Sequence, residues 1–217
     1  MSRYEPRDGF YRRAHEAGYR SRGVFKLDDL LRRLPGLRRG ASVVELGCWP
    51  GGWLQRLAEH VGPKGKVVGV DLEQPEELPT PVRVVVGDLT SRETWERIVQ
   101  VLGGPADALF CDAAPHLTGI RDLDQAAMEE LQLAALGAAE RVLRPGGALV
   151  LKAFPGSPAE ALRARLRRQY GSLLEVHPEG RRATSREFYW VIPGDLGAAA
   201  AHGRGPRHGR RRRGRRS

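Results

Sequence analysis

The stretch Val43 to Leu54, VVELGCWPGGWL, constrains this chain more than any other. An apolar run that ends in an acid and passes into a glycine-rich turn predicts a buried parallel strand opening onto a helix N-terminus. In open α/β sheets, ligands bind in the crevice outside the strand ends, and glycines let the backbone approach them closely. The turn therefore predicts a site for a nucleotide-like ligand. Its spacing, GCWPGG, is not that of a dinucleotide fingerprint, so the turn alone does not name the ligand.

Around this turn the sequence alternates strands and helices. Strands are predicted over Ser42 to Leu46, Val67 to Asp71, Val82 to Val86, Asp107 to Asp112, Ala148 to Phe154, Leu173 to Val176 and Phe188 to Ile192. Helices are predicted over Gly52 to Val61, Ser91 to Leu102, Asp122 to Leu143 and Ser157 to Tyr170. Alternation through five strands, followed by two strands with a short connection, predicts a Rossmann-like α/β fold. Its sheet is seven-stranded and mostly parallel, with an antiparallel last strand and helices on both faces. Ahead of the first strand, Val24, Leu27, Leu30, Leu31 and Leu34 fall at helical spacing, with Ser21 as the expected N-cap.

The net charge of +10 is unevenly placed. Residues 197–217 hold eight arginines and no acid, and residues 1–39 hold eleven Lys or Arg against five Asp or Glu. The middle of the chain is mildly acidic. Basic ends flanking an acidic centre suggest that the ends engage a polyanion while the centre holds a small ligand. The chain divides accordingly into a basic N-terminal arm with a lead-in helix (1–39), an α/β domain (40–194) and an arginine-rich tail (195–217). Gly, Ala, Pro and Arg without periodicity cannot bury a core, so the tail is expected to be disordered when free.

Tyr4, Phe10, Tyr11 and Tyr19 lie among arginines. Bases stack on rings and phosphates pair with arginine, so this arm suits RNA; an arm that merely packs on the domain explains the same residues. No apolar run approaches the roughly eighteen residues of a membrane span, and the N-terminus lacks a secretory signal pattern, so a cytoplasmic protein is expected. Cys48 and Cys111 both fall at strand ends and read as buried thiols rather than a disulfide or metal site.

Acids recur at the predicted strand ends. Asp71, about 20 residues beyond the glycines, is placed to accept hydrogen bonds from ribose hydroxyls. Asp88 suits an acceptor for a purine amino group, or equally the N-cap of the following helix. Lys152 lies within ALVLKAF, where an unpaired ammonium would cost several kcal/mol to bury. Either it sits at the open strand end beside carboxylates, or this is not a central strand. Lys26, Asp112, Lys152 and Glu187 all fall at that end, and two cations with two carboxylates neutralise one another. Desolvation and the neighbouring Lys26 are expected to lower the pKa of Lys152, making it a proton acceptor.

These segments resemble the FtsJ/RrmJ (RlmE) family of ribose 2′-O-methyltransferases. The resemblance runs through SRGVFKLDDL, ELGCWPGGWLQ, GVDLEQ, VGDLTSRE, CDAAPHLTG, LVLKAFPG and RRATSREFYWV, in family order from Tyr19 to Pro193. It implies a methyltransferase domain that uses S-adenosyl-L-methionine, held by the turn at Gly47, Gly51, Gly52 and Trp53, with Asp71 on the ribose, Asp88 on the adenine and Asp112 at the methionine end. It further implies a Lys26, Asp112, Lys152, Glu187 tetrad with Lys152 as general base. Two departures stand out: Cys48-Trp49 where the family has a small Ala-Ala pair, and His116 where Asn is common.

The implied substrate is a uridine in the A-loop of 23S ribosomal RNA in the large subunit, modified by a monomeric enzyme that needs no metal, membrane or DNA. Phosphate contacts would come from the N-terminal arm, from Arg181, Arg182 and Arg186, and from the tail. Two other readings remain open: a 2′-O-methyltransferase acting on tRNA, and a weakly catalytic or non-catalytic RNA-binding factor in large-subunit assembly.

Overall fold

The computed structural model describes residues 9–116, 118–179 and 185–196. Seven strands, β1 (Ser42–Leu46), β2 (Lys66–Asp71), β3 (Val82–Val86), β4 (Ala106–Cys111), β5 (Leu143–Ala153), β6 (Leu174–Val176) and β7 (Phe188–Ile192), form one sheet in the order β3-β2-β1-β4-β5-β7-β6. Every pairing is parallel except the two made by β7. The chain steps outward from β1 through β2 to β3, then returns to place β4 on the other side of β1. The gap between β1 and β4 is thus the switch point at which a doubly wound sheet opens a ligand crevice.

The central strands are apolar almost without interruption because helices cover both faces. On one face α4 (Arg92–Leu102), α5 (Arg121–Val142) and α6 (Ser157–Tyr170) pack over Val44, Leu46, Leu109, Leu149 and Leu151. On the other, α2 (Val24–Leu31) and α3 (Gly52–Val61) cover Val43, Phe110, Val150, Tyr189 and Val191. This assigns the alternating residues of β5 and β7 to opposite sides, and it directs Lys152 and Tyr189 toward α2.

Some expected boundaries move for identifiable reasons. Helix α2 begins after Gly23, which occupies the N-cap position without a side-chain bond, so Ser21 is not the cap. Ser21 instead lies so close to Gly52 that a Cβ there would collide with it. Strand β5 starts five residues early and absorbs Arg144 to Gly147 as an irregularity in its pairing with β4. Arg144 pins that segment by bonding Asp107 at 2.8 Å and Asp195 at 2.9 Å. Asp195, assigned from sequence to the tail, sits in a short 3-10 turn, Gly194–Leu196.

Residues Gly9–Glu16 form an additional helix, α1. Phe10 packs on Phe25 at 5.4 Å between ring centroids, with the Arg13 guanidinium over both rings. The Tyr19 phenol donates to Glu59 across 2.7 Å, and its burial together with that bond raises its pKa to about 12. Packing therefore accounts for Phe10 and Tyr19. Tyr4, Arg181, Arg182 and residues 197–217 of the arginine-rich tail lie outside the described residues. Among the described residues no helix is long and apolar enough to cross a membrane.

Candidate active site

Four elements converge at the open ends of β4 and β5. Lys26 comes from α2, Asp112 immediately follows β4, Lys152 is the penultimate residue of β5, and Glu187 immediately precedes β7. Lys152 Nζ lies 2.7 Å from Asp112 Oδ1 and 3.9 Å from Glu187 Oε2, and donates to the Asp112 carbonyl across 2.8 Å. Lys26 Nζ lies 3.2 Å from Glu187 Oε1 and 3.7 Å from Asp112 Oδ2. Each cation thus contacts both carboxylates. This alternation lets an ammonium only 8% exposed sit in the fold, because each charge is met as it leaves water.

The electrostatics differ from the sequence expectation in one respect. Burial disfavours the charged form of Lys152, but Asp112 and Glu187 outweigh it and hold its pKa above the ordinary lysine value. The expected depression by desolvation and Lys26 does not occur in the free protein, since Lys26 is itself neutralised by the same two carboxylates. Asp112 shows the complementary effect. Burial raises its pKa, yet Lys152, Lys26 and the bonds it accepts bring the net value below the usual carboxylate range.

A fifth member escaped sequence reasoning. The Tyr189 phenol donates a short hydrogen bond to Asp112 Oδ1 and accepts one from Lys26 Nζ at 3.3 Å. Tyr189 is fully buried and pairs with Lys152 across the β5–β7 ladder. Burial, with Asp112 and Glu187 nearby, pushes its pKa well above the usual tyrosine value, so it remains a donor. The available signal was the period-two spacing of Glu187 and Tyr189 in REFYWV, which puts both on one face of β7.

Beside this cluster lies the glycine turn. Gly47 has φ of 78°, and a Cβ there would lie 2.5 Å from Ala113 Cα, so the turn and the segment after β4 touch backbone to backbone. Gly51, at φ 104°, occupies the N-cap position of α3. The backbone N–H groups of Gly52 and Trp53 follow in the first turn, where a helix has no internal acceptors for them. Asp71 accepts from the Trp49 amide at 2.8 Å and, more distantly, from Glu73 at 3.4 Å. Leu72 next to it is 68% exposed, an apolar side chain at the crevice that the sequence reading passed over.

Two residues assigned to the cofactor also make contacts within the protein. The Trp53 side chain is buried, packs against Phe110 and Tyr189, and spends its Nε1 on the Gly23 carbonyl at 2.6 Å. It can face a ligand only through its backbone. Asp88 is exposed, and both the amide and the hydroxyl of Thr90 donate to it at 2.8 Å. The N-cap position of α4 belongs to Ser91, so the capping alternative for Asp88 does not hold. Trp49 points outward, while Cys48 and Cys111 are both buried and free.

Beneath the turn, Glu45 is almost completely buried and its Oε2 has no partner. Desolvation, reinforced by Asp112 and Asp71, raises its pKa well above the carboxylate norm.

The model of the FtsJ-like methyltransferase family matches residues 19–194. The chain is 43% identical over 187 residues to a ribosomal RNA large subunit methyltransferase E of Methanothrix thermoacetophila, covering 86% of this chain and 72% of that one. To the protein of the same description from Myxococcus xanthus it is 37% identical, covering 87% and 89%. Among solved structures, a Plasmodium falciparum protein assigned as a ribosomal RNA methyltransferase superposes with a TM-score of 0.71 at 25% identity, covering 83% of this chain and all of that one. An Aeropyrum pernix fibrillarin with bound S-adenosyl-L-methionine shares the fold, with a TM-score of 0.52 at 19% identity and coverage of 80% and 74%.

Proposed function

Since the chain belongs to the FtsJ-like methyltransferase family, we propose that it methylates the ribose 2′-hydroxyl of a uridine in the A-loop of 23S ribosomal RNA, using S-adenosyl-L-methionine. Supporting the large-subunit substrate are relatives described as ribosomal RNA large subunit methyltransferase E over most of both chains. The observation that carries the chemistry is the compact cluster of Lys26, Asp112, Lys152 and Glu187.

The crevice fits the cofactor. The backbone contact at Gly47 leaves no room for side-chain bulk, Asp71 and Leu72 offer acceptors and an apolar edge, and Glu45 keeps an unpaired polar atom below. Gly47, Gly51, Gly52 and the backbone of Trp53 would line it, with Asp71 on the ribose, Asp88 toward the base and Asp112 toward the methionine end. When bound, S-adenosyl-L-methionine supplies a methyl group activated by its attachment to sulfonium.

The cluster's own task concerns the acceptor. A 2′-hydroxyl must lose its proton as its oxygen forms a bond to carbon, and a base within hydrogen-bond reach is required. Lys152 is that base in our reading, and it acts once it has released the proton that Asp112 and Glu187 hold on it in the free protein. Lys26 and Glu187 orient the hydroxyl, and fixed placement of the reacting atoms supplies much of the rate.

The test is incubation with labelled S-adenosyl-L-methionine and, separately, large ribosomal subunits lacking the modification, naked 23S RNA, and tRNA. Label at a single A-loop uridine 2′-oxygen is the expected result. Label on tRNA would redirect the substrate assignment. Tight RNA binding with no transfer to any RNA would instead identify a non-catalytic assembly factor.

A further inference from the structure

A cavity of about 590 Å³ opens between the N-terminal half of α5, the β5–α6 turn and the segment after β4. The proposed chemistry does not use it. Its volume falls in the range of about 300–1,000 Å³ typical of small-ligand pockets. We infer that it receives one unstacked nucleobase of the RNA whose ribose is presented to Lys152, an inference that rests on the function proposed above.

The lining argues for a base on three counts. First, the walls are apolar and include a ring: Met128 from α5, Phe154 and Pro155 just beyond β5, and Ala159 from α6. A planar heterocycle splayed out of a single strand gains from stacking on such a surface. Second, Gln125 and Gln132 line the same space; Gln132 already commits its Nε2 to the Lys152 carbonyl, and the amide group of Gln125 can match donors and acceptors of a base edge. Third, Arg121 and Arg186 are exposed where they line it, so the cavity carries cations suited to the backbone phosphates on either side of an inserted base. Among the described residues of the lining the one carboxylate, Asp124, is engaged by the amides of Thr118 and Gly119 and by the Thr118 hydroxyl.

Location connects the cavity to the reaction. Gln132, nearly fully buried, donates to the Lys152 carbonyl at 2.9 Å, and Arg186 immediately precedes Glu187. Phe154 stands two residues beyond Lys152. A base seated here would therefore anchor its strand against the same stretch of β5 that carries the proton acceptor. Binding energy from a group that does not react would be used to position the one that does.

Two measurements test this separately from the proposed function. In the first, Phe154→Ala and Gln125→Ala are compared with wild type for methylation of unmodified large subunits. We expect KM for subunits to rise about tenfold for Phe154→Ala, the scale of losing one base–aromatic stack. The kcat and the cofactor Kd from calorimetry should be nearly unchanged, and Phe154→Tyr should restore KM. In the second, large-subunit RNA containing 4-thiouridine is photo-crosslinked to the wild-type protein, and adducts are mapped by mass spectrometry. Adducts at Met128 or Phe154 are expected.

Methylation by wild type with unchanged KM in both variants and no adduct in the cavity overturns the pocket and leaves the function standing. Adducts in the cavity without methyl transfer overturn the function and leave the pocket standing. Neither adducts nor transfer overturns both.

Discussion

The indole Nε1 of Trp53 donates to the Gly23 carbonyl across 2.6 Å, joining the first turn of α3 to the residue that precedes α2. The helix that opens the cofactor crevice is thereby fastened to the helix that carries Lys26. Trp53→Phe keeps a ring against Phe110 and Tyr189 but leaves that carbonyl without its donor. Loss of one such bond costs about 1 kcal/mol and should lower Tm by about 2–4 °C in a protein of this size. If the bond also positions Lys26, kcat should fall several-fold with cofactor Kd little altered. An unchanged kcat would make Trp53 a purely structural residue.

Lys152 yields a prediction about pH. A base works only when unprotonated, and Asp112 and Glu187 hold its pKa above the ordinary lysine value of about 10.4 in the free protein. The neutral fraction is then small at neutrality and rises tenfold per pH unit. The kcat/KM measured from pH 7 to 9 should climb with a logarithmic slope near one and show no plateau. A flat profile would remove Lys152 as the titrating base. Lys152→Ala should abolish turnover while leaving cofactor binding measurable by calorimetry.

The legible parts of this molecule are those governed by local pattern. Largely apolar strands such as SVVEL and ALFC, and glycines at strand ends, announce a doubly wound sheet because each obeys a short-range rule. The proximity of Lys26, Asp112, Lys152 and Glu187 was legible through the cost of burying Lys152, which demands partners, and through the family resemblance. What lay hidden depends on contacts distant in sequence. Trp53 belongs to the glycine turn by position but to the core by packing, and Gly23 is thirty residues away. The balance that raises the Lys152 pKa follows from distances to two carboxylates, which no spacing reports.

Tyr189 links both sides of the cluster, donating to Asp112 while receiving from Lys26 at 3.3 Å. Tyr189→Phe preserves the packing and removes only the hydroxyl. Asp112 then loses a donor that helps hold its pKa down, and Lys26 loses a partner. The expected cost is about 1–2 kcal/mol of stability, with kcat reduced more than the RNA KM. If KM rose instead with kcat intact, the phenol would contribute to RNA binding rather than to cluster geometry.

Glu45 supplies a stability prediction with a definite sign. Desolvation, with Asp112 and Asp71 adding to it, raises its folded-state pKa well above the unfolded value of about 4.3. Between those two values the native state keeps a proton that the unfolded chain has released, so this group's contribution to stability declines as pH rises through that window. The maximum slope is about 1.4 kcal/mol per pH unit. Glu45→Gln removes the titration while retaining size and polarity. The variant should be more stable than wild type at pH 7.5, and the advantage should shrink steadily toward pH 4.5. Asp112 works in the opposite direction, since its lowered pKa loses stability as pH falls, but it is common to both proteins and cancels in the difference. Denaturant unfolding of the two proteins from pH 4.5 to 8 measures that difference directly. A difference independent of pH would mean that the Glu45 pKa does not change on folding.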